Sequence, residues 1–260
     1  MSEFFFSQGL RLAFESSGLG TPLVLIHGYP LSRIIWQPLL PHLHGLRVIR
    51  PDVRGFGESQ VAEAGFSMDD LAADLESLLD HLHLEQAFIA GHSMGGYIAL
   101  ALAHRAPQRV KGLALIASQA AADPPERRAV RLETAERIAR QGIGFVAEQM
   151  SSALTPQESL RPQIRALIEQ QSPKALIGAL RAMAARPDAT NLLRESTFPV
   201  LILHGQADAL IPIERARQIH ALTSRARLVE LPAVGHMPMM EAPAETAQAL
   251  LEWCSFYEPN

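Results

Sequence analysis

Cysteine is nearly absent from this sequence of 260 residues, and its scarcity excludes a fold stabilised by intramolecular disulfides. The single cysteine, Cys254, has no partner for an intramolecular disulfide, and no cysteine cluster exists that could ligate a metal. Cys254 ends the apolar run Leu250–Cys254, which favours a buried, inert thiol over a reactive one.

Long apolar runs and an excess of basic charge are also missing. No stretch of 18 or more apolar residues occurs, so we expect no membrane span, and Met1–Phe6 lacks the basic segment and apolar core of a signal peptide. The net charge of −4 provides no positive field for nucleic acid. We therefore expect a soluble cytoplasmic protein with neither membrane nor nucleic acid as a partner, and make no prediction about its oligomeric state.

Hydrophobic residues, at 48% of the chain, suffice for the core of one domain with one large insertion. Phe4–Phe6 and Leu10–Phe14 predict an N-terminal antiparallel hairpin. Helical segments then alternate with four apolar runs, namely Leu23–Ile26, Leu46–Arg50, Phe88–Ala90 and Val110–Ala117. This alternation predicts a parallel sheet with right-handed crossovers.

Between residues 118 and 196 the alternation stops, and the pattern becomes helical throughout. The predicted helices there are Ala129–Gln141, Phe145–Ala153, Leu160–Gln171 and Lys174–Ala185, separated by prolines. The sheet then resumes within Phe198–Asp208 and at strand Ala226–Leu231, with helices Ile213–Leu222 and Pro243–Phe256. We predict a core of residues 1–120 and 197–260 and a helical cap of residues 121–196, placed over the carboxyl ends of the strands, where ligands bind.

The most informative motif is Gly91–Gly95, which lies between a predicted strand and an Ala-rich helix and reads Gly-x-Ser-x-Gly. This is the pattern of a nucleophile elbow, in which a strained turn presents the Ser93 hydroxyl at the carboxyl end of the sheet. The backbone N–H of Met94, at the helix N-terminus, would then face a developing oxyanion. The alternative is an ordinary turn between a strand and a helix.

A second turn, His27–Pro30, follows the buried strand Leu23–Ile26. A sharp bend there would present the N–H of Tyr29 as a second oxyanion donor, although an ordinary tight turn has the same sequence pattern. We expect His27 to stabilise this turn.

Candidate partners for Ser93 follow strands later in the chain. Asp208 comes just past the buried strand in Phe198–Asp208, and His236 lies in a loop after the last strand, so the chain order is nucleophile, acid, base. Taken singly, Asp208 could be a helix cap or ion-pair residue, and His236 a surface imidazole. Asp123 is the reserve candidate for the acid, whereas we expect Asp52 to be structural because it precedes the nucleophile strand.

The chain resembles α/β-hydrolase-fold proteins from about residue 3 to residue 256. The matching stretches are His27–Pro30, Asp52–Ser59, Gly91–Gly96, His204–Asp208 and Gly235–His236. The resemblance implies an eight-stranded, mostly parallel sheet flanked by helices, with a helical cap inserted after the sixth strand. Within the superfamily the chain is similar to small bacterial carboxylesterases and 3-oxoadipate enol-lactonase-like hydrolases, and its serine excludes the branch that has an aspartate nucleophile.

The expected function is hydrolysis of a small carboxylic ester or lactone through an acyl-enzyme, with Ser93, Asp208 and His236 as triad and without cofactor or metal. The same residues could instead cleave a carbon–carbon bond in a meta-cleavage product. They could also let hydrogen peroxide intercept the acyl-enzyme, as in a perhydrolase or cofactor-free haloperoxidase. The alternative outside enzymology is a ligand receptor on a hydrolase scaffold. We also expect Phe145, Met150 and Met183 to line the substrate pocket.

Overall fold

The computed structural model describes residues 1–256, and an eight-stranded sheet forms its centre. Its strands are β1 (Glu3–Ser7), β2 (Leu10–Ser17), β3 (Thr21–Ile26), β4 (Leu46–Pro51), β5 (Ala87–His92), β6 (Val110–Ile116), β7 (Val200–Gly205) and β8 (Ala226–Leu231). Their order across the sheet is β1-β2-β4-β3-β5-β6-β7-β8. The β1–β2 and β2–β4 pairs are antiparallel and every other pair is parallel, which confirms the predicted mostly parallel sheet.

The centre of the sheet is buried on both faces, as continuous apolar strands require. Every residue of β5 and of β7 is buried. On one face Phe88 packs edge-on against Trp253, with ring centroids 4.8 Å apart. Because the parallel strands all end at the same edge, their carboxyl ends bring together loops that are far apart in the sequence.

Ten α-helices flank or cover the sheet within the described residues. They are α1 (Met68–His81), α2 (Met94–Arg105), α3 (Pro125–Gln141), α4 (Gly144–Ala153), α5 (Arg161–Glu169), α6 (Pro173–Ala185), α7 (Thr190–Glu195), α8 (Ile213–Leu222), α9 (Pro238–Glu241) and α10 (Pro243–Phe256). At the start of α1, Ser67 and Asp70 form a reciprocal capping box, which fixes where that helix begins. None of the helices within residues 1–256 has both the length and the apolar character needed to cross a bilayer.

The first helical segment is not an α-helix. Arg33–His42 forms a 3₁₀-helix, since Pro38 and Pro41 inside it cannot donate the backbone hydrogen bonds of an α-helix. The short helices α7 and α9 were not predicted, because neither is long enough to show a helical period of apolar residues.

Helices α3 to α7 lie between β6 and β7, and so follow the sixth strand. Within this group α3 packs against α6, and α4 against α5. The division into a core (residues 1–120 and 197–260) and a cap (residues 121–196) stays a prediction. Residues 257–260 of the predicted core lie outside the described residues.

Candidate active site

Ser93 occupies the turn between β5 and α2 in a backbone conformation that non-glycine residues seldom adopt. Its φ is 51° and its ψ is −113°. Neighbouring segments hold this strained geometry in place. The Ser93 N–H donates to the main-chain oxygen of Ile116 at 2.9 Å, and the Ser118 hydroxyl donates to the main-chain oxygen of Ser93 at 2.8 Å.

The glycines of the motif are required by close backbone contacts. A Cβ on Gly91 would lie 2.1 Å from the main-chain oxygen of Gly95, and one on Gly95 would lie 2.2 Å from that of Ile26. Neither position could accept a side chain without moving backbone. The pattern Gly-x-Ser-x-Gly therefore has a steric cause in this chain, and the first turn of α2 packs against the end of β3.

Asp208 and His236, which follow β7 and β8, meet in a direct hydrogen bond. The His236 Nδ1–H donates to Asp208 Oδ2 at 2.7 Å, which leaves Nε2 of the ring as the proton acceptor. The other carboxylate oxygen, Oδ1, accepts from the backbone N–H groups of Leu210 at 2.8 Å and Ile211 at 3.0 Å. Both oxygens of Asp208 thus accept hydrogen bonds, and the bond from Nδ1 fixes the orientation of the imidazole.

Asp208 stays ionised although it is buried. Burial by itself would raise the pKa of its carboxyl, but the charge of His236 and the hydrogen bonds from His204 and His236 outweigh that effect and hold the pKa far below its usual value. The carboxylate is therefore present over the whole physiological pH range and can stabilise a protonated His236.

The loop that carries His236 is held by hydrogen bonds to a residue that was not identified from the sequence. Glu241, in α9, accepts from the N–H of Gly235 at 2.7 Å and from the N–H of Met237 at 2.9 Å. The N–H of His236 itself donates to the main-chain oxygen of Leu154 at 3.1 Å. A carboxylate five residues after a histidine is too common to be recognised as a signal in one sequence.

His92, next to Ser93, packs behind His236 rather than facing the cavity. Its Nε2 donates to the main-chain oxygen of His236 at 2.8 Å, and the two ring centroids lie 4.9 Å apart. Burial, followed by the nearby charge of His236, lowers the pKa of His92 well below 6.5. His92 is thus a neutral hydrogen-bond donor that packs against His236.

The turn at Tyr29 adjoins the elbow. A Cβ on Gly28 would lie 2.6 Å from His92 Nδ1, so this turn and the end of β5 are in contact. His27 stabilises the turn as predicted, since its ring bonds to the Gly28 oxygen at 3.0 Å and to the Val53 N–H at 2.9 Å. Within residues 1–256, neither the N–H of Tyr29 nor that of Met94 donates a hydrogen bond, so both amides are available to a ligand.

Ser93 and His236 line one cavity of about 240 Å³. The apolar side chains around it include the three that were predicted for the substrate pocket, Phe145, Met150 and Met183. This cavity therefore combines a strained serine, an oriented imidazole and a largely apolar wall from α3, α4 and α6. Among the described residues no cluster of three or more His, Cys, Asp or Glu has the geometry to hold a metal ion.

The other two candidate acids lie away from His236. The carboxylate of Asp123 binds Arg131 and Arg186, and Asp52 accepts from the backbone N–H groups of Arg33 and Glu58. Asp52 thus has the structural role expected of it. Of the carboxylates considered from the sequence, Asp208 is the one that contacts the imidazole.

Comparison with known proteins identifies the family of this chain. The family model described as the alpha/beta hydrolase fold matches residues 21–243. Among solved structures, a thermophilic esterase from Thermogutta terrifontis is 37% identical with a TM-score of 0.94, and the match covers 100% of both chains.

Two curated relatives also align over most of the chain. The 2-hydroxymuconate semialdehyde hydrolase of Pseudomonas sp. (strain CF600) is 30% identical, over 92% of this chain and 88% of that protein. The dihydrolipoyllysine-residue acetyltransferase component of the acetoin cleaving system of Pseudomonas putida is 35% identical over 92% of this chain. The match spans 65% of the length of that second relative.

Proposed function

The chain belongs to the α/β-hydrolase fold family, and we propose that it is a serine hydrolase that cleaves a small carboxylic ester or lactone through an acyl-enzyme. In this proposal Ser93 is the nucleophile, His236 the general base and Asp208 the residue that orients the base. The substrate binds in the cavity shared by Ser93 and His236, and the chemistry needs no metal or cofactor.

In the first half-reaction His236 Nε2 takes the proton of the Ser93 hydroxyl as Oγ attacks the substrate carbonyl carbon. The N–H groups of Tyr29 and Met94 donate to the resulting oxyanion. When the carbon–oxygen bond breaks, His236 returns its proton to the departing alcohol. Asp208 stabilises the imidazolium throughout, because its carboxyl remains ionised.

In the second half-reaction His236 removes a proton from a water molecule, whose oxygen attacks the acyl carbon. The tetrahedral intermediate collapses, the Ser93 oxygen leaves with the proton held by His236, and the free acid departs. With a lactone, the alcohol and the acid are the two ends of one product.

The observation that carries the proposal is the bond of 2.7 Å between His236 Nδ1 and Asp208 Oδ2, in a chain where His236 and the strained Ser93 share a cavity. An imidazole held in this tautomer has its basic nitrogen available to the serine. Ligand binding by itself does not require an oriented base beside a strained serine. The presence of Ser93, Asp208 and His236 together therefore favours an enzyme over a ligand receptor.

The direct test is hydrolysis of short-chain p-nitrophenyl esters by the wild-type protein and by Ser93→Ala. We expect measurable turnover in the wild type and a loss of at least about a thousandfold in the variant, since the nucleophile is gone. Ser77→Ala, in α1, serves as the matched control. Equal turnover by Ser93→Ala, with contaminating esterases excluded, would disprove the mechanism.

A second candidate is cleavage of a carbon–carbon bond, which the similarity to a 2-hydroxymuconate semialdehyde hydrolase favours. A panel of acyl esters, lactones and vinylogous diketones, with and without hydrogen peroxide, separates the possibilities. Turnover of esters or lactones above all others supports the proposal. Preference for the diketones supports carbon–carbon hydrolysis, and peroxide-dependent formation of peracid supports a perhydrolase.

A further inference from the structure

One wall of the cavity beside Ser93 is positively charged. Arg127 and Arg131, one turn apart on α3, both line it. Among residues 1–256 no aspartate or glutamate side chain is part of the lining. An anionic group could therefore enter this cavity without meeting a like charge.

The arginines on this wall are only partly neutralised. Asp123, whose side chain is fully buried behind them, pairs with Arg131, with Arg186 at 2.9 Å and with Arg127 at 3.7 Å. One carboxylate thus faces three guanidinium groups, and no other carboxylate in the described residues pairs with Arg127 or Arg131. The cluster keeps an excess of positive charge on the side of the cavity, where an anionic ligand would balance it.

Arg131 is oriented so that the terminal nitrogens of its guanidinium can still donate to a ligand. Its Nε donates to Asp123 Oδ2, which fixes the plane of the group. Its Nη1 has the sulfur of Met183 as acceptor at 3.3 Å, and a thioether sulfur accepts hydrogen bonds weakly. A carboxylate is a much stronger acceptor for these terminal nitrogens and suits their planar geometry.

Tyr29 provides an independent observation on the same cavity. Tyr29 lines the cavity and is only 8% exposed, and its buried hydroxyl has no hydrogen-bond partner within the described residues. Burial, opposed by the charge of Arg131, raises the pKa of this phenol, so the hydroxyl stays protonated and can donate. Buried hydroxyls normally have partners, so an orphaned one on a residue that lines the cavity is a candidate donor to a polar group of the ligand.

We propose that Arg127, Arg131 and the Tyr29 hydroxyl form a carboxylate-binding subsite, and that the preferred substrates are short esters or lactones with a free carboxylate. This inference rests on the proposed hydrolase function of Ser93. The cavity of about 240 Å³ lies near the lower end of small-molecule sites, so substrates derived from short dicarboxylic or hydroxy acids fit it best.

The kinetic test compares pairs of esters that differ by one charge. Monomethyl esters of succinate, glutarate and adipate are paired with methyl esters in which a methyl group replaces the carboxylate. Acetyl esters of short hydroxy acids, paired with neutral analogues, place the carboxylate on the leaving group instead. For at least one pair we expect wild-type kcat/KM to favour the anionic ester at least tenfold.

Three variants assign this preference to the subsite. Arg131→Gln and Arg127→Gln should each lower the ratio of anionic to neutral kcat/KM, Arg131→Gln by at least tenfold. Tyr29→Phe keeps every ion pair and the Tyr29 backbone N–H, so it should lower the ratio even if Arg131→Gln fails to fold. Arg140→Gln, on the same helix and 66% exposed, is the control and should leave the ratio unchanged.

The outcomes separate this inference from the proposed function. Ser93-dependent hydrolysis of neutral esters, with the same charge preference in wild type and all three subsite variants, would overturn the subsite and leave the hydrolase proposal standing. If no ester is hydrolysed through Ser93, the hydrolase proposal fails, and calorimetric titration with glutarate and adipate decides the subsite. Binding that weakens at least fivefold in Arg131→Gln or Tyr29→Phe supports it, and binding that is absent or unaffected refutes it.

Discussion

The carboxylate of Glu241 accepts hydrogen bonds from the backbone on both sides of His236, from the N–H of Gly235 at 2.7 Å and the N–H of Met237 at 2.9 Å. Glu241 does not line the cavity and does not touch the imidazole, so its contribution is positional. The ring of His236 is thus set from two directions, by Asp208 at Nδ1 and by Glu241 through the backbone.

From this relationship we predict that Glu241→Gln lowers kcat about tenfold with little change in KM. Glutamine keeps one acceptor oxygen but points its amide N–H₂ at the second backbone N–H, so one of two charge-assisted bonds is lost. Steady-state kinetics on a short neutral ester measure the effect, with Glu245→Gln in the first turn of α10 as control. Normal kcat together with a lower free energy of unfolding would mean that Glu241 has a structural role only.

For the acid, we predict that Asp208→Asn lowers kcat at least about a thousandfold. Asparagine can keep its oxygen on the N–H groups of Leu210 and Ile211, which turns its amide nitrogen towards His236 Nδ1. The imidazole would then carry its proton on Nε2 and could not accept one from Ser93. Asp123→Asn, assayed on the same neutral ester, should lose far less activity. The reverse ranking would show that the acid has been assigned to the wrong carboxylate.

For the cap, we predict that alanine at Phe145, Met150 or Met183 redistributes chain-length preference across a series of esters. Each of these side chains lines the cavity, and none can serve as a nucleophile or base. Labelling of Ser93 by a small phosphonate should change less than the ester preferences, with Leu132→Ala as an exposed control on α3. An unchanged chain-length preference in all three variants would contradict the prediction. So would a loss of activity as severe as that of Ser93→Ala, because it would mean that a cap residue takes part in the chemistry.

For stability in acid, the ion pairs of Asp123 predict a specific pH dependence. Burial by itself would raise the pKa of Asp123, but hydrogen bonds from Arg186 and Arg131 lower it from 3.8 to about 2. A carboxyl with a depressed native pKa stabilises the fold above its unfolded pKa, and that contribution is lost as the pH falls towards the native value.

We therefore expect the difference in unfolding free energy between wild type and Asp123→Asn to shrink by about 1 kcal/mol from about pH 5 to about pH 3. Urea unfolding of both proteins at the two pH values measures it. A difference that stays constant or grows on acidification would mean that the Asp123 carboxylate is not stabilised by its arginines.

Much of the fold follows from local patterns that are readable in one sequence. The apolar runs that became β5 to β7 are continuous because both faces of those strands are buried. The predicted Ile213–Leu222 and Pro243–Phe256 helices have the same bounds in the structure. The glycines at positions 91 and 95 indicate the elbow in the sequence. A Cβ at either position would lie 2.1 or 2.2 Å from a main-chain oxygen, which leaves no space for a side chain.

Segments without a sufficient local signal were missed or misjudged. Helix α7 has six residues and α9 has four, so neither completes two turns of an apolar period. The 3₁₀ form of Arg33–His42 follows from Pro38 and Pro41, which cannot donate the backbone hydrogen bonds of an α-helix.

Local patterns in the sequence predicted the order of the strands along the chain, the serine turn, and the positions of Ser93, Asp208 and His236 after strands, because each pattern involves residues near one another. Three relationships became visible only in three dimensions: which carboxylate meets His236, how Glu241 holds the backbone beside it, and that Arg127, Arg131 and Tyr29 line one cavity. Those relationships join segments far apart in the chain, and hydrogen bonds and charges act over a few ångströms of space, whatever the separation in sequence.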